Sequence, residues 1–351
     1  MRKRDKPIVI RVHANRIGLV PPLRLFPQNA TGPTRGDVRR DRWRRSSYGL
    51  WAPPWADATR VEQRIVEAGA NLKAFGGVTG WAALRWLGCR WCDGVAPDGS
   101  LLPVVLAADD MRTPSNAVLS EERLNPRDLV EVDGLVITLP VRSVIFEMRY
   151  ASSVREAVVW FEKAAYDDLV TIEEAWDYVT GYLNGWTGVP QVRLALVLVV
   201  ENSWSPQETR LRLVWIVDAG LPPPLCNRPV FDLEGRHLGT PDLIDVEAGL
   251  IVQYDGPDHL EPGQHAYDEA QDIRYLEHGL GVVRVTRHDM RDRARLAVRL
   301  EEARDEALAH PAPREWTVDL PDWWVPTFTV AQRRALDAEQ QAAWLRYRQP
   351  A

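Results

Sequence analysis

Pro241-Asp242-Leu243-Ile244-Asp245-Val246-Glu247-Ala248-Gly249-Leu250-Ile251-Val252-Gln253-Tyr254-Asp255-Gly256 reads as two short apolar strands around a tight connection. The strands are Leu243–Val246 and Leu250–Tyr254, joined through Glu247-Ala248-Gly249. Side chains alternate along a strand, so Gln253 and Asp255 share one face and Tyr254 takes the other. Asp242 reaches the face of Gln253 and Asp255 only if it stands opposite Gln253. That register requires a four-residue connection, Val246–Gly249. A three-residue loop would set Asp242 opposite Tyr254, on the wrong face.

Outward from the hairpin, helix and strand patterns alternate. Ser205–Ala219 is helical, closed by Gly220 and Pro222-Pro223-Pro224. Arg228–Leu233 reads as a strand and Glu234-Gly235 as a turn. Gln264–His278 is a helix ended by Gly279, Gly281–Thr286 an apolar strand, and Met290–Ala309 a helix. The order α-β-β-β-α-β-α predicts an α/β fold with a mixed sheet flanked by helices. Glu208 stands third in the first helix, behind Ser205 as cap and Pro206 at the first position. A capping role and a ligand role are both open to it.

Asp242, Asp255, Glu208 and the Gln253 amide are oxygen donors. Magnesium takes such ligands, often only one or two carboxylates plus substrate phosphates. In phosphodiester hydrolysis it stabilises charge on the attacking and leaving oxygens and lowers the pKa of bound water. The blander readings are a turn at Asp255-Gly256, a strand entry at Asp242 and a helix-face pair for Asp272 and Arg274.

The 351 residues predict more than one domain. Blocks fall at 1–100, 101–200, 201–310 and an arm at 311–351. Net charge is −6, yet residues 1–50 hold 13 Lys and Arg against Asp5, Asp37 and Asp41. A basic head on an acidic body suggests local contact with a polyanion. Arg35, Arg39, Arg40, Arg42, Arg44 and Arg45, with Trp43 and Tyr48 interleaved, are the candidate phosphate contacts. Upstream and central helices are expected at 57–75, 81–87, 141–150, 153–165, 171–183 and 190–200. Strands are expected at 101–107, 129–132 and 135–139. A polar helix is expected at Val330–Tyr347. The only lysines are 3, 6, 73 and 163, so the C-terminal part has none to use. Three cysteines make no disulfide framework, which fits a reducing, cytoplasmic setting, and Cys89-x-x-Cys92 lacks the second pair that a zinc site needs. No apolar run of about 18 residues predicts a membrane span, and no secretory leader is expected.

Ser205-Pro206-Gln207-Glu208, Gly220-Leu221-Pro222, Pro241-Asp242, Gln253-Tyr254-Asp255-Gly256, His259, Asp272-x-Arg274 and Val283-Arg284-Val285-Thr286 occur in this order. Over residues 203–290 the chain resembles the PD-(D/E)XK nuclease superfamily, in the branch related to very-short-patch repair endonucleases. The resemblance implies a restriction-endonuclease-like domain with Mg²⁺ or Mn²⁺ as cofactor and DNA as partner. It carries Asp242, Asp255 and Glu208 over as metal ligands, Gln253 to the second acidic position and His259 to proton transfer, with Arg274 as a phosphate contact. Two positions depart from the pattern. Gln253 stands where the family usually has Glu, and Asp255 stands at its lysine position, where the compared relatives commonly have Asp. The loss of one charge weakens metal binding without abolishing it.

Gly32-Pro33-Thr34-Arg35, Trp43-Arg44-Arg45, Tyr48-Gly49-Leu50-Trp51 and Thr79-Gly80-Trp81-Ala82-Ala83-Leu84 resemble actinobacterial AbiEi-type antitoxin or regulator proteins. That likeness implies a winged-helix-like, DNA-binding N-terminal region and a cognate toxin as partner. Two functions follow as expectations: a metal-dependent DNA endonuclease, or an AbiEi-like regulator whose nuclease-like domain is inactive. A helix presenting Arg39, Arg42 and Arg45 outward beside a wing would favour regulation. A closed carboxylate cluster around Asp242 would favour catalysis.

Overall fold

The computed structural model describes residues 16–73, 75–96, 98–109, 111–256 and 262–348, without the side chains of 262–268. The chain is mixed α/β and divides into two compact units. The first covers Met1–Ser152 and Glu173–Arg193, the second Ser153–Ile172 and Leu194–Ala351. Among the described residues no helix is long and apolar enough to cross a membrane.

The first unit opens with α1 (Arg35–Arg39), where Thr34 and Asp37 form a reciprocal capping box. The strands β1 (Arg44–Ser47) and β2 (Leu50–Ala52) pair antiparallel. Helix α2 (Val61–Gly69) starts four residues later than the periodicity at Asp57 suggested, because Asp57 instead accepts from Thr59 N (2.8 Å) in a local turn. Then come β3 (Gly76–Thr79), α3 (Trp81–Trp86), β4 (Val104–Ala108), β5 (Ala117–Ser120), β6 (Leu129–Val132) and β7 (Leu135–Thr138). These strands form one sheet in the order β5-β4-β3-β7-β6. It spans residue 100, where the sequence reading had placed a block boundary. Trp81 and Trp86 are buried, and their indoles donate to the Pro103 and Val132 carbonyls at 2.8 Å each. Cys89 and Cys92 are disulfide-bonded and buried, a pairing that the reading of the three cysteines as fitting a reducing setting did not expect.

Four helices follow: α4 (Pro140–Tyr150), α5 (Val154–Tyr166), α6 (Ile172–Tyr182) and α7 (Val189–Leu196). Of these, α4 belongs to the first unit and α5 to the second. The second unit resumes with α8 (Pro206–Leu213), which passes into a π-helical turn at Val214–Asp218, marked by the Ala219 N to Val214 O bond of 2.9 Å. The single helix expected over 205–219 is therefore two segments. Ser205 caps α8 by accepting from Glu208 N at 3.1 Å. Ser205→Ala is expected to lower stability by about 1 kcal/mol, seen as a fall in the denaturation midpoint with an unchanged slope.

The strands of this unit are β8 (Leu225–Cys226), β9 (Val230–Asp232), β10 (His237–Gly239), β11 (Leu243–Asp245), β12 (Leu250–Asp255), β13 (Gly281–Thr286) and β14 (Trp316–Thr317). Helix α9 (Pro262–Glu277) joins β12 to the parallel strand β13, the crossover that a parallel pair needs. The central sheet runs β13-β12-β11-β8. The strand expected over Arg228–Leu233 does not join it. That segment, as β9, pairs with β10 and β14 in a separate three-stranded sheet, and β8 takes the edge beside β11. Leu243, Leu250 and Val252 bury one face of the central sheet against α8 and α10 (Arg293–Ala309), with Trp215, Leu296 and Leu300. Ile244 and Ile251 bury the other against Tyr275, Leu280 and Trp316. Coverage on both faces explains why these strands read as unbroken apolar runs.

The tail carries α11 (Val330–Arg334) and α12 (Ala338–Trp344), not the one helix expected over 330–347. Each has its own capping box, Thr329 with Gln332 and Asp337 with Gln340, so a second helix starts where a single one would have continued.

Candidate active site

The β11–β12 hairpin pairs Leu243 with Val252, Ile244 with Ile251 and Asp245 with Leu250. The connection is Val246–Gly249, four residues, and the register carries Asp242 to the position opposite Gln253. Two features fix the turn. Asp245 accepts from Glu247 N (3.0 Å) and Ala248 N (3.2 Å) while Arg304 Nε holds its other oxygen at 2.6 Å. Gly249 adopts φ +65°, a left-handed conformation that a side chain would strain.

Asp242 Oδ2 accepts from Tyr254 N at 2.7 Å, which ties it across the hairpin. Glu208 reaches the same region from α8, its Oε2 accepting from Trp204 N and from Asn227 Nδ2, both at 2.8 Å. Asn227 N in turn donates to the Asp242 carbonyl at 3.0 Å. Glu208 and Asp242 keep some surface in solvent, but protein crowds both carboxyls. Desolvation pushes Glu208 above the usual carboxylate range. Desolvation and then the Glu208 charge push Asp242 well above it. Two carboxylates that desolvate and repel each other favour a shared proton or a bound cation. Asn227 is 2% exposed, and its Oδ1 has no hydrogen-bond partner. An orphaned amide oxygen beside two crowded carboxylates is a donor set suited to a hard divalent ion. Among the described residues no three His, Cys, Asp or Glu side chains are drawn together as a ligand cluster, so any cation here would rest on two carboxylates and neutral oxygens.

Asp255 lies on the Gln253 side of β12, but a guanidinium engages it. Arg284 Nη1 donates to Asp255 Oδ1 at 2.6 Å, and Arg284 Nε donates to Asp272 Oδ2 at 2.6 Å. The parallel β12–β13 register sets Arg284 directly opposite Gln253. The sequence reading quoted Arg284 in a motif without giving it a role, and it missed Asn227 altogether. The β12–α9–β13 crossover was the signal for Arg284, because a parallel pairing of Gly281–Thr286 with the hairpin puts a cation beside the acids. A bare Cys-Asn-Arg carries no comparable signal for Asn227.

His259 lies outside the described residues. Arg274 sits on α9 toward His237, where burial and the Arg274 charge hold the imidazole below its usual pKa. In the first unit Arg35, Arg39, Arg40, Arg42 and Arg45 are exposed, around α1 and the start of the β1–β2 hairpin. Arg44 is not part of that surface. It turns inward and pairs with Glu67, Nη1 to Oε2 at 3.0 Å, alongside Gln63. No family model, curated protein or solved structure matches this chain.

Proposed function

We propose that the second unit hydrolyses phosphodiester bonds of DNA with Mg²⁺ or Mn²⁺, as a restriction-endonuclease-like domain of the very-short-patch-repair type. The observation that carries this reading is the crowded Glu208–Asp242 carboxyl pair, set beside Gln253 by the hairpin register. Glu208 and Asp242 would hold the cation, with the Gln253 amide and Asn227 Oδ1 as neutral donors. The bound ion supplies charge stabilisation for phosphoryl oxygens and a lowered pKa for water. The chain's own part is to keep both carboxylates fixed. Asn227 and Trp204 N hold Glu208, and Tyr254 N holds Asp242. Arg284 keeps Asp255 oriented, its charge divided between Asp255 and Asp272. The exposed arginines of the first unit would grip DNA in a winged-helix-like manner, in a cytoplasmic setting.

Purified protein incubated with supercoiled plasmid is expected to nick it with Mg²⁺ or Mn²⁺ and not with EDTA. Gln253→Glu restores a charge to the donor set and is expected to raise the rate at limiting metal roughly 10-fold, the low end of what ligand-sphere changes cost. Plasmid left intact by both proteins under every metal would remove the nuclease reading.

A second reading has its own support. Arg284 engages Asp255 and Gln253 brings no charge, so two carboxylates, Glu208 and Asp242, remain for a cation where the resemblance implied three. An AbiEi-like regulator or antitoxin, with a toxin as partner and the nuclease-like unit as scaffold, fits that smaller ligand set and the exposure of Arg39, Arg42 and Arg45, although α1 ends at Arg39 and no single helix presents all three. Specific DNA binding with no cleavage would select it.

A further inference from the structure

A cavity of about 400 Å³ opens in the second unit between α5, α8 and the turn that leads into α10. Its lining is strongly basic. Arg287, Arg291 and Arg293 are exposed and make no ion pair among the described residues. Two further arginines on its wall are already engaged: Arg210 with Glu156 at 3.1 Å, and Arg155 with Asp218 at 2.7 Å. The charge left over is therefore positive and concentrated on one side. Met290, half-buried, contributes apolar surface to the same cavity. An anion alone has no use for that apolar floor, and an apolar ligand has no use for three uncommitted guanidiniums. A nucleotide has a use for both, with phosphate on the arginines and base or sugar on Met290.

The cavity and the carboxylate site share α8, which carries Gln207 on the cavity wall and Glu208 next to it in sequence. Arg210 lies on the helix that carries Glu208.

We propose that this cavity seats one nucleotide of the strand on which the Asp242 site acts, away from the bond that is cut, and so sets how the strand lies across the site. The identity of the strand rests on the phosphodiesterase reading, but occupancy is measured without cleavage. Full-length protein in EDTA is titrated against a fluorescent DNA duplex over a salt series, with AMP and inorganic phosphate as competitors. Arg287→Ala/Arg291→Ala/Arg293→Ala is expected to weaken binding at least ~10-fold and flatten the log Kd against log salt slope by about two units, near 0.9 per phosphate contact. Met290→Trp fills the cavity without altering charge and keeps the test open if the triple variant fails to fold. It is expected to weaken the duplex by a similar factor and to abolish competition by AMP. Wild-type affinity and slope in either folded variant overturn the inference. So does AMP binding without any change in duplex affinity, which would make the cavity a free-nucleotide site. Plasmid cleavage in Mg²⁺ is scored separately, so loss of the nuclease reading and loss of this one give different patterns.

Discussion

Asp242→Asn is expected to abolish metal-dependent plasmid nicking, by on the order of 10³-fold or about 4 kcal/mol of barrier, and at the same time to stabilise the fold. The substitution keeps the shape and an oxygen for Tyr254 N, so the backbone tie across the hairpin survives. What it removes is a charge that desolvation and Glu208 both oppose. The sign of the stability effect follows from linkage. The folded-state pKa of Asp242 is raised, so between the unfolded value and the folded one the native chain binds more protons than the unfolded chain. Its stability is then full below the ordinary carboxylate pKa and falls as pH rises toward the folded value. Asn carries no such dependence. In EDTA at neutral pH the variant should melt ~2–4 °C higher, the shift that about 1 kcal/mol gives in a unit of this size. The gap should close at low pH, and added Mg²⁺ should raise the wild type alone. A variant that loses nicking but melts lower than wild type would show that Asp242 is a structural acid and not a strained ligand.

Glu162→Ala is expected to cost the second unit about 3–5 kcal/mol, the range for removing one member of a buried pair. Glu162 and Arg212 join α5 to α8 with side chains 1% and 4% exposed. Glu162 also accepts from Thr209 Oγ1 (2.7 Å) and Val200 N (2.9 Å), and Arg212 donates to the Leu198 carbonyl at 2.8 Å. Truncation leaves the guanidinium buried without its counter-charge and two donors without an acceptor. The double change Glu162→Leu/Arg212→Met removes both charges together and should recover most of the loss. Urea denaturation of the two variants gives the comparison. Equal losses in both would mean that packing, and not the orphaned charge, dominates.

The hairpin was legible down to a choice of register. The alternation of strand side chains reduces the choice to two registers, of which only the four-residue connection groups Asp242 with Gln253; the structure has that one, because the first strand ends at Asp245 and not at Val246 as expected. Glu208 was legible as a cap, and its contact with Asn227 extends it toward Asp242. Strand pairing at a distance was less legible. Nothing local in Arg228–Leu233 distinguishes a strand of the central sheet from one that pairs with Trp316–Thr317 far downstream. The π-helical turn was hidden too, since Val214–Asp218 keeps the apolar pattern of a helix while Trp215 donates its indole to the Pro222 carbonyl at 2.7 Å. Arg44 shows the limit of reading charge runs. Five of six arginines in the run face solvent and the sixth is a core contact, a difference set by Glu67 more than twenty residues away.

Arg333 gives the second unit a timetable. Its guanidinium is 1% exposed and donates to Asp168 Oδ1 (2.6 Å), the Ala165 carbonyl (2.8 Å) and the Glu201 carbonyl (3.0 Å). Asp168 is synthesised 165 residues before the arginine that it binds. At about 5–20 residues per second that interval is roughly 8–33 s. The first unit has its last segment, Glu173–Arg193, long before then. On the ribosome the two units therefore finish in sequence. The carboxylate-bearing unit is the later one, and it spends the interval with Asp168, just past α5, awaiting a partner that is still to be made.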